Sequence, residues 1–252
     1  MVDINELTKN YFYNKQVIVY QGKKGYRFSV DAPILANFLP DASNKTALEI
    51  GCGSDIISLL SIYNNKFKKI YCFEIQKRLF EIASLNVKEN NFEKRIEIIN
   101  ADFLKNGENV IKKNNGKFDI VFSNPPFYKL NRGRVSANEE TAIAKFELKL
   151  SLSELLNKTL SVLNTNADLF LILPYDRFAE LESMAKQFGY SLIKKRDIIS
   201  VKGGKPERFL IQLRNVRCCD NSLINEEPLI IYKDTNIYTE EMNYIFGLTE
   251  TK

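Results

Sequence analysis

Asn124-Pro125-Pro126-Phe127 follows the apolar run Phe118 to Ser123, which has the length and composition of a buried strand. Two consecutive prolines fix φ and remove two backbone donors, so the loop presents acceptors: the Asn124 side-chain oxygen and the neighbouring carbonyls. Such acceptors suit the hydrogens of a planar amine, and the Phe127 ring can stack on the ring that carries it. Three upstream positions stand in the same relation to an apolar run. Leu48-Glu49-Ile50-Gly51-Cys52-Gly53 closes one run and leads into the helical pattern Ile56 to Tyr63, with glycines where backbone would approach a ligand closely. The next run ends in Glu74, 23 residues after Gly51 and near the spacing at which an acid hydrogen-bonds a ribose diol. The third stops just before Asp102-Phe103, where a carboxylate can accept from an adenine amine and a ring can cover the base. Glycine turn, first acid and second acid, each at a strand end, describe an adenosine site.

The spacing also discriminates between adenosine cofactors. A dinucleotide fingerprint has a third glycine three residues after the second, where this chain has Ile56. Asp55, near the helix start, would repel a diphosphate but is compatible with the sulfonium and ammonium groups of S-adenosylmethionine. The reading is therefore S-adenosylmethionine, not NAD or FAD.

The elements that must hold these residues follow from periodicity. Thr46 to Ile50, Lys69 to Glu74, Ile96 to Asn100, Phe118 to Ser123, Leu169 to Leu173, Ser191 to Lys195 and Phe209 to Leu213 read as strands. Amphipathic helices fall between them, as with Leu152, Leu155, Leu156, Leu160 and Leu163. That alternation predicts an α/β fold with a doubly wound, mostly parallel, seven-stranded sheet. Val17 to Tyr20 and Tyr26 to Val30, around the glycines at 22 and 25, read as an amino-terminal hairpin, followed by a short helix from Asp31 through Leu39. The expected division is residues 1–40 as hairpin and helix, 41–217 as the main domain, and 218–252 as an extension packed back on it.

Composition narrows the function classes. A chain of 252 residues that is 44% hydrophobic can bury one sizeable core, and two large independent domains are not expected. With no histidine and four cysteines in no zinc-like spacing, neither a metal site of the usual kind nor histidine catalysis is expected. No apolar run approaches the roughly 20 residues of a membrane span, so a cytoplasmic protein without a membrane partner is expected. The net charge of +5 is unevenly placed: Lys194 to Arg217 holds eight basic residues against two acids. Lys202, Lys205 and Arg208 belong to that cluster, and Lys129, Arg132 and Arg134 flank the proline loop, pointing to a polyanion partner.

Taken together, these residues resemble the class I S-adenosylmethionine-dependent methyltransferases, and more narrowly the bacterial tRNA(Val) adenine-N6 methyltransferases that modify the adenosine adjoining the anticodon. The resemblance runs over nearly the whole chain, through Gln21-Gly22, Tyr26 to Asp31, the glycine turn, Phe73 to Gln76, Asp102 and the proline loop. Ala144-Lys145-Phe146-Glu147 stands where such proteins often have Ala-Arg-His-Glu, and Lys205-Pro206-Glu207-Arg208 precedes the last strand. The resemblance implies that Glu74 binds the cofactor ribose beside Ile75, and Asp102 its adenine beside Phe103. Gly51 and Gly53 would lie along its methionine portion, with Ser29 and Asp31 at the edge, and Glu49 and Cys52 complete the cofactor-binding set. Asn124 would take the target amine within the catalytic set completed by Pro125, Pro126 and Phe127, and Lys145 would face RNA. Two departures stand out: Asp55 where a glycine is usual, and Lys145-Phe146 in place of arginine and histidine.

The expected reaction is methyl transfer to the N6 amine of a tRNA adenosine by a monomeric enzyme. An rRNA guanine-N2 methyltransferase, a release-factor glutamine methyltransferase and a catalytically silent RNA-binding protein on the same fold are the alternatives. The glutamine enzyme would usually carry a helical substrate domain ahead of the glycine turn, where only about 45 residues precede it here.

Overall fold

The structure, a computed structural model, describes residues 2–127, 139–145, 147–216 and 223–248. Lys129, Arg132 and Arg134 lie outside the described residues, as does the side chain of Lys145. The chain begins with the hairpin β1 (Leu7–Phe12) and β2 (Val17–Gly22), then α1 (Asp31–Phe38). The alternating region comprises β3 (Ala42–Ile50), α2 (Ile56–Tyr63), β4 (Phe67–Glu74), α3 (Lys77–Glu89), β5 (Ile96–Asn100), α4 (Phe103–Asn106), α5 (Asn109–Asn114) and β6 (Phe118–Ser123). It continues through α6 (Glu139–Lys145), α7 (Leu152–Val162), β7 (Leu163–Pro174), α8 (Phe178–Phe188), β8 (Tyr190–Val201) and β9 (Pro206–Asn215). The carboxyl-terminal part forms β10 (Ile224–Asp234), β11 (Ile237–Tyr238) and α9 (Glu240–Ile245).

The main sheet has the order β11-β10-β8-β9-β7-β6-β3-β4-β5 among the described residues. β5, β4, β3, β6 and β7 are mutually parallel, and β9 runs antiparallel between β7 and β8. All seven expected strands form, but the sheet has nine. The two additional strands come from the carboxyl-terminal extension, in which Leu229 and Ile231 alternate with solvent-facing residues and β10 pairs with the open edge of β8. One-sided burial of this kind is what an edge strand needs.

Strand order reverses at β3, whose neighbours are β4 on one side and β6 on the other. The loops leaving the carboxyl ends of β3 and β6 therefore diverge and open a crevice, the position at which doubly wound sheets bind ligands. Both faces of the sheet are covered. Leu35, Leu59, Leu60, Ile70 and Phe122 pack on the α1 and α2 side, whereas Leu48, Phe73, Val121, Leu155 and Leu156 pack on the α7 side. Adjacent residues such as Val121 and Phe122 face opposite layers, and burial on both faces gives the near-continuous apolar runs seen in the sequence.

The amino-terminal hairpin differs from expectation. Leu7–Phe12 pairs with Val17–Gly22, while residues 26–30 form no strand. The reversal is made at Tyr13, Asn14 and Lys15, all with positive φ, a turn signature that a tyrosine and a lysine conceal. The outer edge of β2 is completed by side chains. Asn86 accepts from the Tyr20 N–H and donates to the Tyr20 carbonyl, and Asn90 does the same with Ile18. One helical turn of α3 separates the two asparagines, so their amides match alternate residues of the strand. No helix among the described residues is long and apolar enough to cross a membrane.

Candidate active site

At the end of β3 the backbone turns sharply: the N–H groups of Gly51 and Cys52 both donate to the Phe73 carbonyl of β4. Gly51 and Gly53 adopt φ of +73° and +58°, which L side chains rarely accept, and the space before Gly51 is open. The Gly53 N–H donates to Glu74 Oε2 at 2.8 Å, and Glu74 Oε1 accepts from the Gln76 N–H at 2.8 Å. Each carboxylate oxygen keeps a further lone pair for a hydroxyl donor. Burial raises the Glu74 pKa to about 7, against the lowering effect of those backbone donors.

Asn124, Pro125 and Pro126 line the same cavity as Gly51, Gly53 and Glu74. Ser123 ties the two strand ends together by donating from Oγ to the Ile50 carbonyl at 2.7 Å. An adjoining cavity shares Ile50, Gly51 and Ile75 and continues to Asp102 and Phe103. Asn100 joins the β5 end to the β4 end by donating to the Glu74 carbonyl. Asp102 caps α4 through the Leu104 N–H, and the Phe103 ring is buried edge-on against Phe73, 5.5 Å between centroids.

Other expected site residues lie off this cavity. Glu49 is fully buried beneath the turn, where it accepts from Ser58, and Cys52 is buried as well. Asp31 is buried, bonded to Ser29 and ion-paired with Arg208 at 3.0 Å. Phe127 packs against the α1 side of the core. Asp55 is neither beside the cavity nor a favourable charge at a helix start. It is fully buried in the left-handed conformation, φ +70°, and among the described residues neither carboxyl oxygen has a hydrogen-bond partner. Glu49, Asp55 and Cys72 each offer a donor atom within 4.8 Å of the others. Burial raises the pKa of both acids, which favours their neutral forms.

Several contributors escaped sequence reading. Ile143 and Ala144 place α6 over the cavity, and Lys149 and Leu150 border both of its parts. Glu140 of α6 accepts from the Tyr26 N–H at 2.8 Å and pairs with Arg78 at 2.9 Å. Gly25 has φ +94°, which L side chains rarely adopt, and a β-carbon there would also crowd the Glu140 carboxylate at 2.1 Å. At the other end of this segment Glu147 pairs with Arg177, a residue just past the carboxyl end of β7. Its place after an apolar run was the available signal. A larger groove of about 950 Å³ at the amino ends of β3 and β4 is remote from these groups. Its two lysines are already engaged, Lys66 with the carbonyls of Asn37 and Leu39 and Lys194 with Glu226.

The profile of the methyltransferase small domain family matches residues 27–194, from the segment before α1 through β8. The chain belongs to this methyltransferase family. Two similar sequences are named tRNA1(Val) (adenine(37)-N6)-methyltransferase, one from Flavobacteriaceae bacterium strain 3519-10 and one from Flavobacterium johnsoniae. They are 24% and 27% identical to this methyltransferase, each over 91% of this chain and 94% of its own length. Among solved structures, Atu636 of Agrobacterium tumefaciens, described as a predicted O-methyltransferase, superposes with a TM-score of 0.63 at 18% identity. It covers 85% of this chain and 94% of its own. A methyltransferase crystallised with SAH, SMU.776, gives a TM-score of 0.62 at 11% identity, over 84% of this chain and 57% of its own. The fold is that of the class I methyltransferases, and the cofactor expected from the sequence is S-adenosylmethionine. The open glycine turn and the strand-end acids Glu74 and Asp102, brought along one crevice, fit that cofactor.

The raised Glu74 pKa has a measurable consequence if this carboxylate receives the ribose. Ionised Glu74 accepts both hydroxyls, whereas the protonated acid must spend one oxygen as a donor, so affinity rises with pH through about 7. Affinity for 5′-methylthioadenosine, which has no group titrating there, should be about tenfold weaker at pH 6 than at pH 8. Glu74→Ala should flatten this profile. Calorimetry at the two pH values checks both, and equal pH dependence in the two proteins would remove Glu74 from the ribose site.

Proposed function

We propose that this methyltransferase modifies the N6 amine of an adenosine in tRNA, the adenosine adjoining the anticodon of tRNA(Val). The observation that carries the reading is the placement of Asn124, Pro125 and Pro126 on the same cavity as the glycine turn and Glu74. The relatives' names support the choice of base and RNA. Glu74 would hold the ribose, Asp102 the adenine, and Gly51 and Gly53 the methionine portion.

S-adenosylmethionine, when bound, supplies an electrophilic methyl group. The exocyclic amine is a poor nucleophile because its lone pair is delocalised into the ring. Asn124 Oδ1 and the Pro125 carbonyl accept its two hydrogens, which favours pyramidalisation and aims the lone pair at the methyl group. As the N–C bond forms, the sulfonium S–CH3 bond breaks and its electron pair stays on sulfur as a neutral thioether. The nitrogen then carries an extra proton, and this acidic ammonium loses it to water without a dedicated base. The target must leave its stack to reach the crevice, at low cost for a loop adenosine.

The charge pattern is sparser than the sequence implied. Lys194, Lys195, Arg196, Arg208 and Arg214 are each paired with an acid, namely Glu226, Asp197, Glu241, Asp31 and Asp168. Arg208 therefore serves Asp31 first. Lys202 and Lys205 form no ion pair among the described residues, and the β8–β9 turn that carries them is exposed. In register, Arg208 is level with Pro174, so this turn projects from the sheet edge that carries the acceptor loop. Replacing Lys202 and Lys205 with alanine should weaken tRNA binding and reduce the log–log salt slope by about 1 to 2. Cofactor affinity should not change. A slope equal to the wild type's would take this turn off the RNA face.

Mass spectrometry of nucleosides from treated tRNA tests the reading. N6-methyladenosine is expected, and methylated guanosine or methylated protein in its place would overturn it.

A further inference from the structure

Pro125 and Pro126 leave the acceptor loop without two of its own backbone donors, so its carbonyls must be fixed from outside. Arg177 reaches it. The guanidinium, whose side chain is only 5% exposed, donates from one terminal nitrogen to the Phe127 carbonyl at 3.5 Å and to Glu147 Oε1 at 2.5 Å. Its other nitrogens donate to Glu180 at 3.1 and 3.2 Å. Ser123 pairs with Leu171 in the β6–β7 register, so the two chains leave the sheet side by side and bring Arg177 beside Phe127. Glu147 has a second role, since the same Oε1 accepts from the Leu152 N–H that opens α7.

We infer that Arg177, held by Glu147, is a positioning residue for the acceptor loop. A buried ion pair adds little net stability over apolar side chains of similar volume, whereas a fixed donor at Phe127 sets where the adjoining Asn124 and Pro125 acceptors stand. Residues 139–145 and 147–152 are thereby held by Glu140 beside the cofactor crevice and by Glu147 beside the acceptor loop. This inference rests on the proposed amine transfer for its kinetic consequence and on geometry alone for its structural one.

The test compares Arg177→Ala with the double variant Arg177→Met, Glu147→Gln. The single change leaves Glu147 buried without its partner and can fail to fold. The double change removes the Arg177–Glu147 pair at similar volume, keeps an acceptor for Leu152 and leaves only one carboxylate, the partly exposed Glu180, without the guanidinium, so it should fold. In the double variant kcat on tRNA should fall about ten- to a hundredfold, as expected for a misplaced acceptor, while the Kd of S-adenosylmethionine stays within about twofold of the wild type's. A purely structural role predicts that the stable double variant is fully active, and that result would overturn the inference. So would a loss of kcat that simply follows a loss of cofactor affinity. Hydrogen exchange of the peptide spanning residues 120–127 gives a readout independent of the substrate. Faster exchange at Asn124 and Phe127 in the double variant supports the anchor even if tRNA proves not to be the acceptor, and unchanged exchange overturns it.

Discussion

Asn124→Ala is expected to fold, to bind S-adenosylmethionine as the wild type does, and to lose at least about a hundredfold in turnover, the loss typical of removing one transition-state hydrogen-bond acceptor or donor. Asn124 follows β6 directly, and Ser123 holds that strand end to Ile50 whatever residue comes next. The substitution therefore removes an acceptor from the crevice without loosening its wall. The two prolines remain, so the Pro125 carbonyl still accepts one amine hydrogen, and residual turnover should persist. Single-turnover methylation with saturating tRNA isolates the chemical step from binding. A wild-type rate in this variant would end the amine-orientation mechanism. A parallel loss of rate and of cofactor affinity would assign Asn124 to the cofactor instead.

Asp55→Gly is expected to stabilise the protein by about 2 to 4 kcal/mol at pH 8, combining relief of a left-handed non-glycine residue with removal of a buried acid that lacks partners. Asp55 has φ +70° at the start of α2, and burial together with nearby Glu49 raises its pKa well above the ordinary carboxylate value. The folded protein thus retains a proton that the unfolded chain gives up above about pH 4. Stability contributed at low pH is lost as pH rises from the unfolded pKa towards the folded one, because there the unfolded chain binds fewer protons. The gain from glycine should accordingly be smallest near pH 4 and grow towards pH 8. Urea unfolding of both proteins at pH 5 and pH 8 measures it, and an unchanged midpoint at pH 8 would show that the left-handed acid is not a source of strain.

The strands of the doubly wound sheet were legible because burial on both faces makes the central ones, such as β6 and β7, apolar runs, and strand-end residues identified themselves by following those runs. Gly51, Gly53, Glu74, Asp102 and Asn124 could be assigned to one crevice on that ground, since the carboxyl ends of parallel strands lie on one edge by topology. The amino-terminal pairing was not legible. Its turn uses Tyr13 and Lys15 with positive φ, and the outer edge of β2 is bonded by Asn86 and Asn90, more than sixty residues away. Which charges of the basic run from Lys194 are paired was not legible for a similar reason, because their acids include Asp31, Asp168, Glu226 and Glu241 on other elements.

The sequence by itself thus determined the fold class and which strand-end residues border the crevice, both of which depend on residue type and on spacing along single elements. Only the tertiary structure decided which charges are spent internally, that Asp55 is a buried acid with a raised pKa, and that Glu140 and Arg177 support the crevice from outside its motifs. Those facts depend on contacts between residues far apart in sequence, and burial, ion pairing and the pKa values that follow from them exist only once the chain has closed on itself.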